Sequence, residues 1–392
     1  MTIIVPSPGA AQVATDLPVY LDCNATTPLD PRVQTEVLYY LSEEYGNAGS
    51  RTHEFGQRAK ERVQRAREQV ANVVRSQPDE VIFTSGATES NNLAILGLAP
   101  NGEKTGRRHI ISSMIEHKAV LEPLEELRRR GFDVDLVPPT HGGWVEPEAV
   151  LERMRSDTLL VSVMQVNNET GVIQPITELA ECLSTHEAYL HVDAAQGFGK
   201  DLVGLRSPRI DLISVSGHKI YGPKGVGALV ARRRGYSRPP LSPLQFGGGQ
   251  ERGLRPGTLP VALIAGLGLA AELSGSEYAK RLAACELYRA TVLTAFEPFR
   301  PSINGDLERS LPSTVNLSLP GLDSEAVMLA LKGVIAISNG SACTSQKYEP
   351  SHVLLSMGLE EVIVRGALRL SWSHLTPAAD WSEVGRRIRA LR

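Results

Sequence analysis

An apolar run, DLISVS, ends in Ser216-Gly217-His218-Lys219 and passes into a loop with glycines at Gly222, Gly225 and Gly227. A β-branched strand that empties into a Gly-rich loop is where an α/β sheet presents reactive side chains. A lysine there has chemistry open to it, because partial desolvation favours its neutral, nucleophilic amine. Three earlier apolar runs end in the same manner. IISSMIEHKAV delivers His117, SVMQVNNETG delivers Asn167, Asn168 and Glu169, and YLHVDAAQ delivers Asp193 and Gln196. One strand-end Asp is usually a helix cap, but four successive polar strand ends in this combination are hard to explain as caps. Ligands of open α/β sheets bind outside the carboxyl ends of the strands, so these groups are expected to converge. The run EVIFTS ends in Gly86-Ala87-Thr88, and a helix follows at once. That turn aims free N–H groups and a hydroxyl at the same edge, an anion site suited to phosphate.

The elements that must position these residues alternate. From 108 to 232, strand-like runs (RHIISS, DVDLVPP, TLLVSVMQ, YLHVD, LISVS, GVGALVAR) are separated by helical stretches. The pattern predicts an α/β fold with a mostly parallel sheet and helices on both faces. Upstream, PVYLDCNATTPLDPRV reads as a short strand, a turn, and a helix starting at Asp30-Pro31. QRAKERVQRAREQVANVV is an amphipathic helix, and Cys23 reads as a small core residue. His53, in the polar loop before that helix, suits either a site or a solvated loop. Residues 233–259 are Pro- and Gly-rich and read as a long ordered excursion, after which VALIAGLGLAAEL begins a bridging helix. The expected division is an N-terminal extension (1–17), a large domain (18–265, with 18–30 able to pack on the other unit) and a smaller α+β domain (266–392).

Composition bounds the function. The chain has 392 residues, is 42% hydrophobic and 22% charged, and carries a net charge of −3. That balance gives no general attraction to nucleic acid or an anionic membrane, and no direct nucleic-acid binding is expected. No apolar run approaches spanning length. The four cysteines, Cys23, Cys182, Cys285 and Cys343, are too scattered for a disulfide scaffold or a metal site. Reduced thiols in a cytoplasmic enzyme without a metal are the simpler expectation.

A strand-end lysine, an Asp about one βα unit earlier, a Gly-Ala-Thr helix start and a histidine able to stack together specify pyridoxal 5'-phosphate. Lys219 would hold it covalently through its amine and later move protons. Asp193 would pair with the ring nitrogen and Gln196 with the ring hydroxyl oxygen. Gly86, Ala87, Thr88, Ser216 and His218 would bind the phosphate. His117 would stack on the ring, and Asn168 would orient a substrate or cofactor oxygen.

The pieces YLDCNATTP, FTSGATESNNLAI, EHKAV, VNNETGVIQPI, HVDAAQ, SGHKIYGPKGVGAL, GGGQERGLRPGTLP, SNGSACTS and ALRLSW follow one another from about residue 19 to 373. In this order the chain resembles the NifS/IscS-type cysteine desulfurases of the class V aminotransferase family. The resemblance implies PLP fold-type I, with a seven-stranded large-domain sheet, and a homodimer with shared active sites. It implies that Cys343 is the nucleophile, acting with Lys219 and His117, and that a persulfide forms there as L-cysteine becomes alanine. It further implies that Arg369 binds the substrate carboxylate and that Thr258 reaches the phosphate of the other subunit. Sulfur would pass to an acceptor protein for iron–sulfur clusters, tRNA thiolation or DNA phosphorothioation, and the wording of the motifs is nearest to the last. Ala48, Pro256 and Asn339 depart from the usual pattern, where relatives commonly have proline, serine and serine. A related class V lyase or aminotransferase without sulfur transfer is the alternative, and an idle binding protein that kept the fold is a third reading. The loop 338–350, which carries Cys343, is expected to be more mobile than its flanks.

Overall fold

The computed structural model describes residues 17–339 and 350–392. In chain order its elements begin with β1 (Val19–Tyr20), α1 (Pro31–Ser42), α2 (Glu54–Val74), β2 (Val81–Thr84), α3 (Ala87–Thr105) and β3 (His109–Ser113). Next come α4 (Lys118–Arg129), β4 (Asp133–Val137), α5 (Pro147–Leu151), β5 (Thr158–Met164), α6 (Ile176–Cys182), β6 (Tyr189–Asp193), β7 (Leu212–Ser216) and β8 (Gly227–Ala231). The last third carries α7 (Val261–Ser276), α8 (Tyr278–Phe296), β9 (Ser302–Ile303), β10 (Thr314–Ser318), α9 (Ser324–Leu331) and β11 (Ile335–Ala336). It closes with α10 (His352–Ser356), α11 (Glu361–Arg365), β12 (Ala367–Ser371) and α12 (Trp381–Arg389).

Seven strands form one sheet in the order β2-β8-β7-β6-β5-β3-β4. Pairing is parallel from β7 through β6, β5 and β3 to β4, and β8 runs antiparallel between β2 and β7. The carboxyl ends of β2, β3, β5, β6 and β7 therefore share one edge. The strands are continuous apolar runs because both faces are covered. Ile110, Leu160, Leu212 and Leu229 join the core under α3 and α4. Their neighbours Ile111, Val161, Ile213 and Val230 join the core under α2, α6 and α7. That two-residue alternation is the strand period sorting side chains to opposite faces.

Local chemistry fixes several boundaries. Asp30 caps α1, its side chain accepting from the Arg32 N–H at 3.0 Å, with Pro31 in the first turn. Gly227 has no room for a side chain: a Cβ there would stand 2.6 Å from Gly86 Cα. The start of β8 thus lies directly against the turn that opens α3. The excursion after β8 is tied down through Glu251, which accepts from Phe83 N–H at 2.7 Å and pairs with Arg67.

A separate core joins Leu21 to Cys285, Phe296, Val315, Leu370, Trp372 and Ile388. Its three strands are antiparallel in the order β12-β10-β9, while β1 pairs parallel with β11. Among the described residues no helix is long and apolar enough to cross a membrane.

Candidate active site

A cavity of about 650 Å³ lies at the carboxyl edge of the large sheet. Gly86, Ala87 and Thr88 reach it from the start of α3, and His117 from the turn between β3 and α4. Asn168 reaches it after β5, Asp193 and Gln196 from the end of β6, and Ser216, His218 and Lys219 from the end of β7. Arg369 enters from β12. Residues far apart in sequence converge here because parallel strands deliver their loops to one side. Thr258 is exposed and does not line the cavity in this chain. Cys343, most of its loop, and residues 1–16 lie outside the described residues.

The Lys219 ammonium donates to the Asn24 carbonyl and, at 2.9 Å, to that of Ala25. Asp193 is 5% exposed; one oxygen accepts from Asn91 Nδ2 at 2.7 Å and the other from Ala195 N–H at 2.9 Å. Gln196 donates to the Asn24 carbonyl at 2.9 Å, which leaves its buried Oε1 without a partner. Arg369 Nη2 pairs with Asp22 at 2.5 Å and Nη1 donates to Asn168 O at 3.0 Å, while the buried Nε has no partner.

Both histidines are kept neutral near pH 7. Burial pulls His117 below the ordinary imidazole range, with the Asp193 charge opposing and Lys219 assisting. Burial, then Lys219 and Lys224, holds His218 at about 4. A neutral imidazole suits a flat stacking surface and a hydrogen-bonding partner better than a competing cation. His117 is itself fixed as the cap of α4, its Nδ1 accepting from Ala119 N–H at 3.0 Å.

These groups fit pyridoxal phosphate. Gly86 has φ of +155° and supplies no side-chain cap, so the first N–H groups of α3 are left for a ligand. A Cβ at Gly86 would stand 3.7 Å from Ser216 Oγ, so glycine keeps the cradle between the helix start and that hydroxyl clear. Helix N–H groups with Thr88 and Ser216 hydroxyls suit a dianion. A buried carboxylate backed by two donors suits a protonated ring nitrogen. The free Gln196 oxygen is a further unmet acceptor at the same wall.

Three residues escaped the sequence reading. Asn24 and Asn91 touch Lys219 and Asp193 directly, and Glu116 sits buried behind His117. Asn91 follows Ala87 by four residues, one helical turn, and that spacing was the available signal. His53 turns out to cap α2, its Nδ1 accepting from Gly56 N–H at 3.2 Å, and it does not line the cavity.

Similarity to known proteins agrees with this arrangement. A family model described as aminotransferase class-V matches residues 19–384. A mitochondrial cysteine desulfurase of Drosophila melanogaster is 45% identical over 365 residues, covering 93% of this chain and 78% of the relative. The solved structure of DndA from Streptomyces lividans is 54% identical, covers 89% of this chain and 98% of that one, and gives a TM-score of 0.79. A structure of SspA in complex with cysteine is 35% identical, covers 92% and 100%, and gives 0.80. The family model spans the sheet edge, the lysine turn and β12 alike, so the chain belongs to the aminotransferase class V family of pyridoxal-phosphate enzymes, with fold-type I architecture.

Proposed function

We propose that this protein is a cysteine desulfurase, converting L-cysteine to L-alanine and leaving the sulfur as a persulfide on Cys343. The observation that carries the reading is the convergence of Lys219, Asp193, His117 and Arg369 on one cavity. Its likeness to cysteine desulfurases and to a cysteine-bound structure supports it.

Pyridoxal phosphate, when bound, supplies the electron sink that makes a substrate α-proton removable. Lys219 would hold it and then take and return a proton at the substrate α-carbon through Nζ. The Asp193 carboxylate keeps a ring nitrogen protonated, and Asn91 holds that carboxylate in place. Thr88, Ser216, His218 and the α3 N-terminus would bind the phosphate, with Gly86 and Ala87 shaping the turn. His117 would cover the ring, and Gln196 and Asn168 would hold ring or substrate oxygens. Arg369 receives the substrate carboxylate, a job for a planar guanidinium. The Cys343 thiolate attacks the substrate sulfur; an S–S bond forms, the C–S bond breaks, and its electron pair passes to carbon, which takes a proton to give alanine.

The chain divides on this reading into a large domain (18–265) and a small domain (266–392). Exposed Thr258 reaches the phosphate of a second copy in a cytoplasmic homodimer. The persulfide sulfur goes to an acceptor protein; the likeness to DndA supports a DNA phosphorothioation route over iron–sulfur assembly or tRNA thiolation. Incubation with L-cysteine tests the reaction. Stoichiometric alanine and an extra sulfur atom on the Cys343 peptide are expected, and alanine released with Cys343 never modified would sink the assignment.

A further inference from the structure

Behind the Lys219 turn lies a second cavity of about 40 Å³ that shares no lining residue with the larger one. Its polar lining is Lys200, Arg281, Tyr221, Tyr278, Ser313 and Cys285, and no carboxylate is among the lining residues. Every one of these side chains can donate a hydrogen bond, and two are cations.

Of the two charges, that of Arg281 is balanced from within the fold and that of Lys200 is not. The Lys200 ammonium has no hydrogen-bond or ion-pair partner among the described residues. Arg281 is 7% exposed; its Nε and Nη2 donate to Glu277 at 3.1 and 2.9 Å, Nη2 also lies 3.6 Å from Asp30, and its Nη1 is buried with no partner and left to donate. Burial pulls Lys200 below the ordinary lysine range, and the groups nearest in charge to it are two thiols, Cys23 and Cys285. Burial pushes both thiols up to about 11, so they are neutral near pH 7 and supply no counter-ion. An ammonium held away from bulk water without a partner is costly, and an anion between Lys200 and the undonated Arg281 Nη1 would relieve that cost.

We infer that this cavity binds one small monovalent anion of chloride size, held by Lys200 and Arg281. The void has room for only a few water-sized groups, which favours a small ion over phosphate and carboxylate metabolites. Tyr221 gives the ion a task. It is a non-glycine residue at φ +67°, two positions after Lys219, with its ring under the Arg281 guanidinium at 5.0 Å. An ion seated on this lining holds Arg281 over that ring and pins the turn that presents Lys219. The inference stands on this cavity alone and does not depend on the proposed reaction.

Bromide and thermal unfolding test it on the cofactor-loaded protein. Crystals grown in sodium bromide should show an anomalous peak between Lys200 and Arg281. At fixed ionic strength, with bulky gluconate replacing chloride, Tm should rise by about 2 °C or more between about 1 and about 200 mM chloride. Lys200→Met should abolish that rise. If no anion is held, the same substitution merely removes an unpaired charge and shifts Tm equally at every chloride concentration. Absence of the bromide peak, with only water in the cavity, overturns the inference, as does a chloride response that survives in K200M. Should K200M fail to fold, the bromide experiment on the unaltered protein decides alone.

Discussion

Glu116 offers a test whose sign and size both follow from its surroundings. Its carboxyl is wholly buried; Oε1 accepts from Ser113 Oγ at 2.5 Å and Met164 N–H at 3.0 Å, and Oε2 has no partner. Burial pushes its pKa from 4.5 to about 8, and the Asp193 charge adds to the push, against the two donors. The group is therefore neutral in the folded protein at pH 7 and ionised in the unfolded chain. An acid whose folded pKa is raised contributes stability that is complete below its unfolded value and is lost as pH rises to the folded one. The window runs from 4.5 to about 8, and at about 1.4 kcal/mol per pH unit the loss reaches a ceiling of about 5 kcal/mol. Glu116→Gln keeps the acceptor and cannot ionise, at the cost of an unpaired amide donor, about 1–3 kcal/mol. Urea unfolding of both proteins across this range should find the variant no more stable near pH 4.5. It should then gain steadily on the native protein until about pH 8. A stability difference that stays flat across the range, or tilts the other way, would refute the assignment of a neutral Glu116.

Four further substitutions test the site. Lys219→Ala should lose the cofactor's visible band and turnover together; an unchanged spectrum would mean another amine holds the cofactor. Cys343→Ser should keep the spectral response to cysteine but build up no persulfide, since serine attacks sulfur poorly; persulfide in this variant would move the nucleophile to another thiol. Asn91→Asp sets a second carboxylate beside Asp193 and removes a hydrogen bond to a charged acceptor, worth about 1.5–3 kcal/mol. Cofactor affinity should fall roughly tenfold or more by titration of the apoprotein, and an unaltered Kd would show that Asn91 does not position Asp193. Arg369→Lys should lower kcat/KM for cysteine by roughly ten- to a hundredfold, mainly through KM; equal kinetics would place the carboxylate elsewhere.

The architecture was legible because its strands are buried on both faces and so read as unbroken apolar runs between amphipathic helices. His117, Asp193 and Lys219 were legible for a related reason: each stands at or just beyond the end of such a run, and parallel topology sends them all to one edge. Asn91 carries no such mark. It stands within TESNN, where its polarity looks like an ordinary helix surface, and only the packing of α3 over β6 turns it toward Asp193. Glu116 was hidden by the opposite accident, a charged residue beside a histidine that reads as a loop yet is wholly enclosed. His53 shows the limit again. Its loop left open a site or a solvated role, and the geometry made it a cap four residues before the predicted helix body at Gln57.

Asn24 explains how two hydrophobic cores can serve one cavity. Its N–H donates to Ser371 Oγ at 2.9 Å, and its Oδ1 accepts from Thr314 Oγ1 at 3.1 Å, which ties it to β12 and β10. Its Nδ2 donates to Asn168 O at 3.1 Å, after β5, and its carbonyl accepts from Gln196, after β6, and from Lys219, after β7. One residue thus spans the antiparallel sheet of the C-terminal third and three strand ends of the large sheet. The neighbouring Asp22 repeats the connection through Arg369, which in turn reaches Asn168. Such a residue cannot be bettered by a larger or apolar side chain, because each polar atom already meets a partner and is 4% exposed as a whole. The segment from β1 to α1 is therefore a strut that ties β12, which carries Arg369, to the strand ends that carry Asn168, Gln196 and Lys219. On the proposed reaction, the substrate carboxylate and the α-carbon would be met by Arg369 and Lys219 from different sheets, and the turn around Asn24 would link the two.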